Sequence, residues 1–193
     1  MSTFLDVQIP VQWLRRARAG DAVAQRSIYS ALTQPVYTLL RRLVLRPAVA
    51  EELLQEVFLE VLRNLGAYRG AGSFAGWVRS IAVSKALMHL RSPWHGQLLP
   101  EDAQGARTDQ AVPHGEGVDW GSDLERALNG LPDLSRSIVW LHDVEGYTHA
   151  EIARLYDRTA SFSKSQLARA HAALREVLEP GTGDQECTLA SKN

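Results

Sequence analysis

Apolar residues recur at steps of three and four along most of this 193-residue chain, while two-residue alternation between turn signals is scarce. The pattern predicts helices throughout and no sheet. A first helix is expected over 10–19, stopped by Gly20, and a second from Asp21, which can cap it, through Leu32. Pro35 reads as a break before a helical stretch over 36–45, and Pro47 as the opening of the next helix. Between Ala48 and Leu65, the residues Leu53, Leu54, Val57, Phe58, Val61, Leu62 and Leu65 make a broad stripe, the mark of a core-facing helix. After a glycine-rich turn over 66–72, Ser73 is placed to cap a helix carrying Phe74, Trp77, Val78, Ile81, Ala82, Leu87 and Leu90, which stops before Pro93.

Periodicity lapses over 93–121, where prolines, glycines and acidic residues collect, and this stretch reads as a linker. Helical signals resume at Ser122, which with Glu125 spells a capping box, and Leu131-Pro132 opens a further helix that Gly146 ends. Thr148 and Glu151 spell a second capping box before a short helix with Ile152, Ala153 and Leu155; a turn over 157–160 then leads to a last helix over 161–178. Short helix, tight turn and longer helix make a helix-turn-helix. The expected fold class is all-α: a helical domain over 1–95, a flexible acidic linker over 96–121, a second helical domain over 122–179 and a tail over 180–193.

Charge sharpens this division. The net charge of -1 hides residues 1–95 with 12 Lys/Arg against 6 Asp/Glu, and residues 96–123 with 1 against 6, so a basic front half is masked by an acidic middle. Cys187, the single cysteine, permits no intramolecular disulfide and no cysteine-based metal cluster, which fits a reducing compartment. No run of about 18 apolar residues is present to span a bilayer, so no membrane insertion and a cytoplasmic location are expected. The six histidines, at 89, 95, 114, 142, 149 and 171, include no pair four residues apart that would grip a metal from one helix face, and no metal or cofactor is expected.

Three elements carry candidate chemistry. The helix-turn-helix would set the start of its second helix in a DNA major groove, where Ser161, Lys164, Ser165, Gln166, Arg169 and His171 supply polar groups; the same pattern also fits a helical pair with solvated cations. Glu52, Glu56 and Glu60 follow one another at four-residue steps, an arrangement of like charges that costs a helix a few tenths of a kcal/mol per pair and that suits a basic or polar partner, or a plain solvated face. Phe74 and Trp77 accompany Arg79, Lys85, His89 and Arg91, a mixture of aromatics and cations that fits single-stranded nucleic acid, although both aromatics are equally natural core residues. The common phosphate-loop, dinucleotide, serine-hydrolase and metalloprotease motifs are missing, so nothing points to an enzyme.

The stretches GDAVAQRSIYSALTQPVY at 20–37, EELLQEVFLEVLRNLGAYRGAGSFAGWVRSIA at 51–82 and LNGLPDLSRSIVWLHDVEGYTHAEIARLY at 128–156 resemble the extracytoplasmic-function (ECF) group of bacterial sigma factors, in the sigma-70 family. The resemblance implies a non-enzymatic transcription initiation factor whose partners are the RNA polymerase core, promoter DNA and, for many members, an anti-sigma factor. It assigns Glu51, Glu52, Leu54, Gln55, Glu56 and Phe58 to docking on polymerase. Trp77, Arg79, Ser84, Lys85, Met88, His89 and Arg91 fall to the minus-ten element and its non-template strand, and the helix over 161–178 to the minus-thirty-five duplex. The acidic linker would thread toward the active centre of polymerase.

Several positions depart from the family pattern. Ser84 and Met88 stand where many members have Asn and Asp. Asp157, Arg158 and Ser163 occupy usual Gly, Ile and Val positions of the turn, and Gln166 replaces a common Arg. A serine at 163 leaves packing there to Phe162 or Ala160. Two other readings stay open on the sequence: a helix-turn-helix regulator that never joins polymerase, and a sigma-like adaptor that has lost DNA binding.

Overall fold

The computed structural model of the chain describes Phe4 and residues 7–70, 72–91 and 123–178. Among these there are helices and turns and no strand, in two compact units lying within residues 1–115 and 116–193. The expected linker, Ser122 of the first expected capping box, the tail over 180–193 and Cys187 fall outside the described residues.

The first unit holds α1 (Val11–Arg18), α2 (Ala22–Val44), α3 (Pro47–Arg63), a single tight turn at Leu65–Ala67, and α4 (Phe74–Arg91). Gly20, at φ +85°, turns the chain out of α1. Asp21 then caps α2, accepting from the amides of Val23 at 2.8 Å and Ala24 at 3.2 Å, so two of the donors a helix start leaves unpaired are satisfied. The break expected at Pro35 does not occur: α2 runs through it. Proline removes one backbone donor and costs about 3 kcal/mol inside a helix. However, Ile28, Leu32, Val36, Leu39, Leu40 and Leu43 continue at helical spacing on both sides and are all buried. At roughly 1.5–3 kcal/mol for each large apolar side chain, that burial outweighs the lost bond.

Pro47 starts α3 at the position where its missing donor is harmless. α3 buries Leu53, Leu54, Val57, Phe58 and Val61, but Leu62, expected in the stripe, is 39% exposed and Leu59 is 52% exposed. α2, α3 and α4 pack on one another, α4 contributing Phe74, Val78, Ala82, Val83, Ala86 and Leu87. Arg18 fastens α1 to the turn after α3 by donating to the carbonyls of Leu65 and Tyr68.

The second unit holds α5 (Asp123–Asn129), α6 (Asp133–Val139) continuing into one wide π-helical turn (Trp140–Val144), α7 (His149–Tyr156) and α8 (Ala160–Leu178). Gly146, at φ +73°, ends the wide turn. The capping box at Thr148 and Glu151 is complete in both directions. Asp157 takes the left-handed conformation (φ 55°, ψ 49°) that lets α7 stop and α8 start within a few residues. Thr159 Oγ1 accepts from the Phe162 amide at 3.2 Å, capping α8. α8 packs against α5, α6 and α7 around Ile138, Leu141, Ile152, Tyr156, Leu167 and Leu174. Within this core Arg136 is 1% exposed, with Nη2 2.5 Å from Asp133 Oδ1 and Nη1 donating to the Leu131 carbonyl at 3.2 Å.

Packing at the start of α8 differs from expectation. Ser163 itself is buried, at 0% exposure, while Phe162 is half-buried and Ala160 exposed. The small serine fits because its hydroxyl has a partner, His149 Nδ1 at 3.1 Å across the α7–α8 joint.

Candidate nucleic-acid and partner interfaces

Glu51, Glu52, Gln55 and Glu56 stand exposed along α3. Glu52 and Glu56 are separated by about 40° of helical rotation, and Leu59 falls close to Glu52's direction. The outward face is therefore acidic with an exposed leucine set in it. Leu54 and Phe58 belong to the opposite side: both are buried, and Phe58 packs on Tyr29 with ring centroids 4.5 Å apart. They hold the ridge in place from behind and do not form its surface. Two of the acids have neighbours, Glu56 facing Lys85 of α4 at 3.5 Å and Glu60 accepting from the Asn64 amide group.

On α4, Trp77, Ser84, Met88 and Arg91 fall within one outward stripe, with Ser84 and Arg91 exposed and Met88 58% exposed. Trp77 is half-buried at the top of this stripe, in an aromatic trio whose centroids are 5.1 Å (Tyr68–Phe74), 5.7 Å (Tyr68–Trp77) and 5.5 Å (Phe74–Trp77) apart. Tyr68 donates its hydroxyl to the Gly72 carbonyl at 2.7 Å and so ties the glycine turn to the start of α4. No periodic signal marks Tyr68 in the sequence, where it is a lone tyrosine among glycines. Arg79 lies about 160° around α4 from Trp77. Lys85 and His89 are half-buried to one side of the outward stripe, while Arg79, also half-buried, lies nearly opposite it, on the side of the buried Ala75, Val83 and Ala86.

On α8, Ser161, Ser165 and Arg169 are exposed on the outward face, and Lys164 is exposed on one flank with Gln166 half-buried on the other. His171 is one helical repeat from Lys164, on the same flank, with Nε2 2.7 Å from Asp143 Oδ2. The start of α8 thus offers hydroxyl, ammonium, amide and guanidinium groups on a helix held by α7 through a tight turn, the arrangement by which such a pair presents a helix to a major groove.

The family model Sigma-70 region 2 matches residues 28–95 and Sigma-70, region 4 matches residues 122–174. RNA polymerase sigma factor CarQ from Myxococcus xanthus is 31% identical over 170 residues, covering 86% of this chain and 95% of its own. The chain belongs to the ECF sigma factors. As such it directs RNA polymerase to promoters in transcription initiation. A second relative, the ECF RNA polymerase sigma-E factor of Haemophilus influenzae, is 27% identical over 180 residues, with coverage of 86% and 94%.

Two solved structures share the fold. One is a sigma factor RpoE in complex with the anti-sigma factor NepR from Bartonella quintana, with a TM-score of 0.54, 17% identity and coverage of 83% of this chain and 98% of that one. The other is CnrH in complex with the cytosolic domain of CnrY, with a TM-score of 0.51, 15% identity and coverage of 88% and 97%. Region 2 takes in most of α2 with α3 and α4, and region 4 takes in α5 to α8 up to Leu174. No helix among the described residues is long and apolar enough to cross a membrane.

Proposed function

We propose that this sigma factor docks on polymerase through the outward face of α3, meets the minus-ten element through the outward stripe of α4, and reads the minus-thirty-five duplex through the first two turns of α8. The observation that carries the docking assignment is the exposed row Glu51, Glu52, Gln55 and Glu56 in the region 2 match. Row-wise like charge is a cost to an isolated helix and an asset against a basic surface. The division of α4 follows from its faces: Trp77, Ser84, Met88 and Arg91 are placed to touch bases and phosphates of an open strand. Lys85 and His89 act from the flank, Lys85 after leaving Glu56, while Arg79, on the far side of α4, contributes its charge without direct contact. On α8, Ser161, Lys164, Ser165 and Gln166 lie where base edges are read and Arg169 where a phosphate strand passes; His171 backs this surface through Asp143.

Acting by docking and DNA contact, the protein brings no catalytic group of its own and works in the cytoplasm, where polymerase is. An anti-sigma factor is a further partner, of the kind seen with RpoE in its complex with the anti-sigma factor NepR. The test is Glu52→Lys, alone and with Gln55→Ala, in a binding assay with core polymerase. Glu52 is chosen over Glu56 because reversing Glu56 would also set two cations together at Lys85. Affinity for core should fall at least tenfold with far-ultraviolet circular dichroism unchanged, and duplex binding through α8 should stay as it was. Unaltered affinity for core would remove the docking assignment.

A further inference from the structure

Three of the six histidines, which the sequence scatters over thirty residues, meet where the wide turn, α7 and α8 come together. His142 and His149 stack with ring centroids 4.5 Å apart and planes 22° from parallel. Asp143 sits between His142 Nδ1 and His171 Nε2, each at 2.7 Å. His149 Nδ1 reaches the buried Ser163 Oγ at 3.1 Å, so this ring joins the first turn of α7 to the first turn of α8. No group of three possible metal ligands among the described residues is arranged to hold a metal ion. What the cluster can exchange is protons.

We propose that the His142–His149–His171 cluster is a proton-operated lock on the helix-turn-helix: with His149 neutral, α7 and α8 are held together for promoter binding, and protonation of His149 loosens the joint. The charges facing His149 set the sign. From the wide turn come His142 and Asp143, from α8 Lys164 and His171, while Glu151 on α7 itself is taken up by Thr148. One carboxylate offsets one imidazolium. With Lys164 already present, a proton on His149 places a cation against a stacked ring that can itself be charged and beside a permanent ammonium. Partial burial of the ring, with His142 and Lys164 nearby, outweighs the opposing pull of Asp143 and holds His149 below its ordinary value of 6.5. Burial tends to raise Asp143, but hydrogen bonds from His142 and His171 win and leave it lowered, so the carboxylate stays ionised throughout the range in which His149 titrates.

A histidine held low in the folded state takes its proton more readily when unfolded. Stability from this site is therefore complete above the ordinary value and is lost as pH falls below it. The stack and the serine bond also explain why a polar residue is tolerated at the buried position 163: the lock needs a hydroxyl there.

The inference rests on promoter reading by α8, and the experiment separates the two. The full chain is titrated by histidine NMR from pH 8 to 5, and its affinity for a promoter duplex is measured at pH 7.5 and 5.5. His149 should titrate below the ordinary histidine range, and promoter affinity should drop several-fold at pH 5.5, one linked proton limiting the slope to about tenfold per pH unit. His149→Gln keeps a hydrogen-bonding side chain without the charge and should bind equally at both pH values. His142→Gln leaves the serine bond intact and should move the His149 midpoint upward, which keeps the idea testable if the first variant folds poorly. A His149 midpoint at or above the ordinary range, an affinity that rises as pH falls, or a pH effect surviving in His149→Gln would overturn the lock. Failure of the wild type to bind duplex at pH 7.5 would instead count against the reading of α8.

Discussion

Arg136 is fully buried in a unit that has few residues to spare, and replacing its partner tests how much that unit depends on one ion pair. In Asp133→Ala the guanidinium, 1% exposed, loses the Asp133 carboxylate and keeps its bond to the Leu131 carbonyl. Breaking a buried pair from one side costs about 3–5 kcal/mol. Asp133 is 40% exposed, so water already screens one side of the pair and the lower end, about 3 kcal/mol, applies. Loss of an acid from the first turn of α6 adds roughly 0.3–1 kcal/mol. A folded unit over 123–178 has a total stability of roughly 3–8 kcal/mol at about 0.05–0.15 kcal/mol per residue. Asp133→Ala should therefore remove between about two fifths and all of that stability. Arg136→Met, of similar length and uncharged, leaves the Leu131 carbonyl without this donor and a carboxylate that can hydrate, and should cost about 1–2 kcal/mol. Urea unfolding of the full chain, followed through the amide signals of α6 and α8, reads both: with a slope of about 1 kcal/mol per M, midpoints should move by about 3–4 M and about 1–2 M. A shift under about 0.5 M for Asp133→Ala, or a greater loss for Arg136→Met, would refute the reasoning.

Two further perturbations probe the surfaces and the core. Arg169→Ala should weaken all promoter sequences about equally and flatten the salt slope by roughly one, while Gln166→Ala should cost about 1–3 kcal/mol at one base pair. Anisotropy titrations over single-base promoter variants at several salt concentrations measure both, and the opposite pattern would exchange the roles of the two residues. Pro35→Ala should restore a backbone bond to the Ala31 carbonyl, worth up to about 3 kcal/mol, and lose about 1 kcal/mol of ring packing. The first unit should gain roughly 1–2 kcal/mol, seen as a higher Tm; a lower one would mean that ring packing at the buried Pro35 dominates.

What the sequence makes legible is what depends on neighbours along one helix. Helical spacing, the Thr148–Glu151 capping box, the proline start of α3 and the glycine stops at Gly20 and Gly146 are local events, and the structure has each of them. Pro35 misleads for the same reason: the local rule is a real cost, and only the buried stripe on both sides, which draws on α3 and α4, shows that the cost is met. Helical spacing places Trp77 and Arg79 about 160° apart, yet composition alone sets them side by side as one aromatic and basic patch. Leu54 and Phe58 fall in the same segment as the acidic ridge, yet helical spacing already places them in the inward stripe, where both are buried.

The second unit sharpens the point. Arg136 looks like a surface residue in a short helix, since nothing near it in sequence says that α8 will pack against that helix. Ser163 looks like a packing fault, since its partner His149 lies fourteen residues upstream on another helix. A buried hydroxyl without a partner costs about 1–3 kcal/mol, and with one it costs little. The same serine is thus a weakness or a designed contact depending on one histidine, and that histidine is placed by the tight α7–α8 turn through Asp157. Periodicity tells which residues share a face. Which faces meet, and hence where an acid, a hydroxyl and three imidazoles come to share one joint, is a property of the turns between helices, where a single residue in the left-handed conformation redirects everything after it.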